Sequence, residues 1–229
     1  MNYIRPAGDR GHANFGWLDS YHSFSFGTYH DPMHVGVSAL RVINDDTVAP
    51  GAGFGSHGHR DMEIISYVLE GAVRHEDSMG HRFTVPAGEI QLMSAGSGVM
   101  HSEYNDSLTD PVHFLQIWIT PNVLEAEPGY QQRQITQDGP VTPLVTPDGR
   151  DGSLTIRQDA SLYRVQLKAG EQVLLQAGSS AGYLHVIEGD ARVGDEVLHQ
   201  GDGAGFPAGE NINLQSGRTL TALYFQLPA

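Results

Sequence analysis

Apolar residues come in short runs, and turn residues separate them. Such runs cover residues 39–43, 63–69, 83–85, 90–93 and 113–120, then 154–158, 163–167, 171–175, 183–187 and 219–227. No stretch carries the apolar period of a long helix. Twenty-eight glycines and twelve prolines punctuate the runs throughout. Strands at this spacing, with turn chemistry between them, predict an all-β sandwich or barrel. The segment HFLQIWI (113–119) is rich in β-branched and aromatic residues and reads as a strand.

The pattern also repeats. YVLEG (67–71) and HVIEG (185–189) are each an apolar strand ending in Glu-Gly, offset by 118 residues. PAGE occurs at 86–89 and at 207–210, an offset of 121, and PAGEIQLM (86–93) aligns with HQGDGAGF (199–206) at an offset of 113. The shared order of strand, glycine turn and strand predicts two related β-barrels in one chain, residues 1–133 and 134–229. They divide in the Pro-, Gly- and polar-rich stretch near 130–150.

Composition narrows the chemistry. The 229 residues carry a net charge of −14 and no cysteine. An acidic balance argues against nucleic-acid partners and anionic membrane surfaces, which require basic patches. Without cysteine there is no disulfide, thiolate ligand or thiol nucleophile, so a metal must be held by imidazole and carboxylate. No apolar run approaches the ~18 residues of a membrane span, and the N-terminus lacks a signal-peptide pattern, so a cytoplasmic protein is expected.

Ten of the twelve histidines lie between His12 and His113. His57 and His59, at i and i+2, fall on one face of a strand. His101 and Glu103 repeat that spacing within SAGSGVMHSEY (94–104). Two such pairs facing each other would supply three imidazoles and one carboxylate, a donor set for a divalent first-row metal. By contrast, the histidines of the N-terminal segment, His12, His22, His30 and His34, read as polar packing of an arm over the barrel. His185 reads as a hydrogen-bonded core histidine and His199 as a turn residue.

The spacing Gly51-x5-His57-x-His59-x3-Glu63-x7-Gly71 resembles the first motif of the cupin superfamily, with one extra residue before the last glycine. Gly80-x5-Pro86-x-Gly88 resembles the start of the second, but Gln91 stands where that motif has a histidine. HxHRxxE followed by QxMxAGxGxxHSE is similar to the pirin family, a bicupin branch, and among its members to bacterial proteins described as quercetin 2,3-dioxygenases. RGHANFGWLDSYHSFSFGTYHDP (10–32) and SALRVINDD (38–46) carry the same resemblance.

The resemblance implies two double-stranded jelly-roll barrels, the first holding one metal on His57, His59, His101 and Glu103. Fe(II) suits the site best, and Zn, Mn, Ni, Co or Cu could replace it. The implied activity is cleavage of a flavonol such as quercetin by O2 with release of CO, and Glu103 would take the substrate proton. Glu63 then becomes a structural carboxylate that could orient a ligand imidazole. The alternative is a metal-bearing regulator that binds a transcription or metabolic partner. Gln91, Met62, Met93, Met100, Phe24, Phe26 and Trp118 are the expected pocket residues. The register of the repeat carries His57 to Leu175, His59 to Ala177, Glu63 to Ala181 and Glu103 to Ser216 or Tyr224. The second barrel is therefore expected to be metal-free.

Overall fold

The computed structural model describes residues 1, 3–176 and 181–228; Ala177, the repeat partner of His59, lies outside them. The described chain is all-β, and its only helical elements are two single 3-10 turns, Ala7–Asp9 and Arg150–Gly152. The strands form four sheets, two per half, and each half pairs a seven-stranded sheet with a four-stranded one. This is the expected arrangement of two double-stranded jelly rolls.

In the first half the large sheet runs, in spatial order, Gly129–Gln134, Glu89–Ser94, Glu63–Glu70, Val112–Ile119, Leu40–Val48, Leu18–His22 and Gly11–Asn14. The small sheet facing it runs Gly53–His59, Val99–Asn105, Ala72–Asp77 and Arg82–Pro86. The second half repeats the plan, with the strands Ala181–Glu188, Leu220–Leu227 and Ser161–Leu167 at the centre of its large sheet.

Two details depart from the sequence-based division. The strand Tyr3–Arg5 pairs with Gly203–Phe206, so the N-terminus belongs to the second half's sheet. The stretch near 130–150, where the sequence divides the two halves, contains two strands. Gly129–Gln134 closes the first large sheet against Glu89–Ser94, and Val141–Thr146 joins the second against Ser161–Leu167. Gly129–Gln134 is an edge strand with no buried residue, so it shows no apolar pattern.

The two large sheets pack back to back, and this explains why the central strands read as continuous apolar runs. Successive side chains of a strand point to opposite faces. Ile65 and Tyr67 join Leu115, Ile117 and Ile119 in one buried cluster with Leu144, Leu162, Tyr183, Leu223 and Phe225 of the second half. Their neighbours Val68 and Phe114 belong to a different cluster, inside the first barrel. Both faces of the strand Glu63–Glu70 are therefore buried, and six of its eight residues are inaccessible to solvent. The barrel-facing positions matter for function, because they line one side of the site.

Candidate metal centre

The small sheet positions the histidines. Gly53–His59 and Val99–Asn105 are antiparallel neighbours, and their register sets His101 directly across from His57. His57, His59 and His101 converge, with ring centroids 4.4 to 4.9 Å apart. One ring nitrogen of each lies within 4.8 Å of the other two. A bulge between His101 and Glu103 shifts the register of the pair. Gly53 makes that close approach possible, since a Cβ there would lie 2.3 Å from the Glu103 carbonyl oxygen.

The electrostatics suit a metal. Burial, together with the neighbouring imidazoles His101 and His57, pushes His59 down to about 4. Burial, then His57 and His75, pushes His101 down to about 3. At neutral pH these rings are uncharged and their lone pairs are free. His57 Nδ1 lies 2.7 Å from the Gly55 carbonyl oxygen and donates to it, leaving Nε2 as the acceptor. Among the described residues both ring nitrogens of His101 are buried without a hydrogen-bond partner. Buried polar atoms in folded proteins are almost always paired. Two neutral imidazoles, one of them orphaned, and the His57 ring beside them form a histidine-triad metal site.

Glu103 is held from the opposite sheet. Its buried carboxylate accepts from Gln91 Nε2 (2.6 Å) and Gln116 Nε2 (2.6 Å), and Ser66 Oγ lies 2.9 Å away. Ser66 pairs across the sheet with both Gln91 and Gln116, so the three form one row on adjacent strands. Glu103 lies within 4.8 Å of His101 and His75, a second triad that shares His101 with the first. His75 is fully buried, and its Nε2 lies 2.9 Å from Asp77, which also accepts from His81. The sequence reading missed His75, although the string HEDSMGH (75–81) carried the signal.

Beside these groups opens a cavity of about 450 Å³. His57, His59 and Glu103 reach it, and Phe15, Trp17, Phe26, Phe54 and Trp118 give it aromatic walls. Trp118 packs edge-on to His59 at 4.9 Å and to Phe26 at 5.4 Å, which fixes the His59 ring.

Of the expected pocket residues, Trp118 and Phe26 line this cavity and the others do not. Phe24 sits in the core between the halves. Met93 is buried with Ile64, Ala95 and Val99, and Met62 packs against that cluster. Met100, at i−1 from His101, points away from the barrel interior and is exposed. Gln91 is committed to Glu103, Ser66 and the Tyr130 hydroxyl, so it braces the carboxylate and does not line the cavity.

Other readings also change. Glu63 is buried, accepts from Ser94 Oγ and lies 3.4 Å from the Arg157 backbone nitrogen, which ties the barrel to the second half; it orients no imidazole. His12 pairs with Asp19 and stacks on Tyr21, and His34 lies 2.6 Å from the Tyr3 hydroxyl, as packing of an arm requires. His22 instead lines the cavity. His185 is buried, but its Nδ1 has no hydrogen-bond partner.

Comparison with known proteins places the chain. Residues 4–119 match the Pirin family and residues 143–227 match the quercetinase C-terminal cupin domain. The quercetin 2,3-dioxygenase of Escherichia coli K12 is 46% identical, over 100% of this chain and 99% of that protein. The crystal structure of YhhW from E. coli superimposes with a TM-score of 0.97 at 46% identity, covering 100% and 98% of the two chains. The bacterial pirin YhhW in complex with nickel(II) gives 0.96 at the same identity, covering 100% and 99%. An Acinetobacter baumannii quercetin 2,3-dioxygenase, 20% identical with a TM-score of 0.79 and covering 99% and 86%, shares the fold. The chain is thus a member of the pirin family, a bicupin with a quercetinase C-terminal cupin domain and a homologue of the ring-cleaving quercetin 2,3-dioxygenases.

Proposed function

We propose that this protein is a metal-dependent flavonol dioxygenase, with quercetin as the type of substrate and O2 as co-substrate. His57, His59, His101 and Glu103 would hold one divalent ion, Fe(II) by preference. The observation that carries the reading is the histidine triad, with the unpaired His101 ring within it, beside an aromatic-walled cavity of about 450 Å³ that His57 and His59 line. A cavity of that size admits a three-ring ligand. The full-length likeness to a quercetin 2,3-dioxygenase supports the same substrate class.

The bound metal supplies Lewis acidity toward a substrate hydroxyl and a route for O2 chemistry. The protein's own groups do the rest. The aromatic walls hold the flat ligand and exclude water. Glu103 accepts the proton of the flavonol 3-hydroxyl. Gln91, Gln116 and Ser66 hold its oxygens in place, and loss of one of those hydrogen bonds lets an oxygen turn toward the substrate. The cytoplasm is the proposed compartment; among the described residues no helix is long and apolar enough to cross a membrane.

The test is spectroscopic. Protein loaded with Fe(II) should bleach the flavonol absorption band in air, consume O2 and leave the band intact under nitrogen. Intact flavonol with each of Fe, Mn, Co, Ni and Cu would overturn the enzyme reading and favour the alternative of a metal-bearing regulator with a protein partner.

A further inference from the structure

The register of the first large sheet places His22 opposite Asn44, Asn44 opposite Gln116, Gln116 opposite Ser66 and Ser66 opposite Gln91. One row of polar side chains therefore crosses five strands inside the barrel. The Gln91–Ser66–Gln116 end is satisfied by Glu103. The other end has no such partner. His22 is 5% exposed and Asn44 3%, yet among the described residues His22 Nδ1 and Asn44 Oδ1 are buried with no hydrogen bond. In the adjoining row Ser20 stands opposite Asp46, and both are buried. All four residues line the cavity.

The hydrogen bonds fix which atoms can accept. Ser20 Oγ donates to Asp46 Oδ1. Ser20 must then accept from His22, whose Nε2 lies 2.9 Å away, so Nε2 carries the ring proton. His22 Nδ1 is left as a bare acceptor. Asn44 Oδ1 is a second. Among the described residues Ser20 is the sole hydrogen-bond partner of the Asp46 carboxylate, and no cation balances it. An unpaired buried acceptor costs roughly 1–3 kcal/mol, so two together, beside a carboxylate with a single partner, need a reason. Burial holds the Asp46 carboxyl up at about 7, the state of a group without a countercharge.

We infer that His22, Asn44 and Asp46 form a hydroxyl-recognition wall, which accepts hydrogen bonds from the phenolic hydroxyls on the part of the substrate away from the metal. The inference rests on the dioxygenase reading and names its specificity element. A wall whose unpaired atoms are acceptors favours hydroxyl donors and disfavours an unsubstituted ring, which would leave those acceptors unpaired. It equally disfavours methyl ethers in place of the hydroxyls.

The test compares Zn-loaded wild type, Asp46→Asn and Asn44→Leu, so that binding is read without turnover. Asp46→Asn keeps the shape and the bond from Ser20 but can replace the free acceptor by a donor. Each protein is titrated with quercetin and with a flavonol lacking hydroxyls on the pendant ring. The wild type should prefer quercetin by about tenfold or more, the worth of one or two hydrogen bonds. In both variants the ratio should fall to within about twofold. A ratio near one in the wild type, or one equally large in both variants, overturns the wall. If neither flavonol binds, the dioxygenase reading fails by itself. The three proteins are then titrated with benzamide and 3,4-dihydroxybenzamide. A hydroxyl preference present in the wild type and lost in the variants sustains the wall; equal ratios in all three overturn it.

Discussion

The two barrels share one plan and differ in what fills them. The row that reads Gln91, Ser66, Gln116 and Asn44 in the first barrel reads Ala204, Leu184, Tyr224 and Tyr163 in the second. On the facing sheet the cross-strand pair Glu103 and His75 has its counterpart in Leu214 and Val193, two residues before the Ser216 that the sequence repeat gave for Glu103. The second barrel's interior is a closed apolar cluster that includes Leu184, Leu214, Ile212, Phe206 and Tyr224. The same backbone thus supports either a packed core or a polar site. Polar side chains inside a barrel are tolerated only where they are hydrogen-bonded to one another or await a ligand. The second barrel has few polar groups inside, the Tyr224 hydroxyl being an unpaired exception among the described residues, and the first organises its polar groups into rows.

The comparison breaks most sharply at His101. His101→Ala should lose metal retention and reduce flavonol bleaching to below about one hundredth, since even outer partners of a metal ligand are worth 10–100-fold. Metal analysis after dialysis, beside the bleaching assay, checks this. Full activity in that variant would refute the triad. In the second barrel the equivalent experiment is purely structural. Leu214→Ala should destabilise the protein by about 2–5 kcal/mol through an unfilled cavity and leave metal stoichiometry at the wild-type value. Thermal unfolding and metal analysis on the same sample separate the two effects.

Acid provides a third probe. Burial holds His185 down at about 4, below its ordinary 6.5. The unfolded chain therefore binds this proton more readily than the folded one. The stability tied to His185 is fully present above about pH 6.5 and is lost as pH falls from there toward 4, a drop of up to about 3 kcal/mol. His59 and His101 add to the same slope only in metal-free protein, because a bound ion opposes their protonation. Denaturation curves between pH 7 and 4.5 should therefore be shallower in His185→Leu, with or without metal. An identical slope in that variant would show that the second barrel contributes nothing to the acid response. The smallest effect is expected from Gln91→Leu, which removes one brace from Glu103. Metal affinity should drop about 10–100-fold. A shift in substrate affinity at unchanged metal affinity would return Gln91 to the pocket.

Much of this was legible in the strings themselves. HGH and HSE each put two donors on one face of a strand, and their convergence needs only that the strands be neighbours. The braces of Glu103 were not legible. Ser66 and Gln116 sit inside apolar runs, 50 residues apart, and meet only through the register of two central strands. The methionines misled for the same reason. Met62 and Met93 are apolar residues near the motif in sequence, but the sheet turns them into a neighbouring cluster. A usable signal existed in the polar residues that interrupt buried strands at spacing two, Ser20 with His22 and Asn44 with Asp46.

The sequence by itself determined the all-β class, the two-barrel repeat, the exclusion of thiolate chemistry and the histidine pairs, because these follow from residue type and from the alternation of a single strand. Only the tertiary structure decided which residues brace Glu103, which polar side chains line the cavity and why the second barrel packs as an apolar cluster. Those depend on cross-strand register and on which face of each strand is turned inward. Both are properties of the packed sheets, set by the burial of two large sheets against each other.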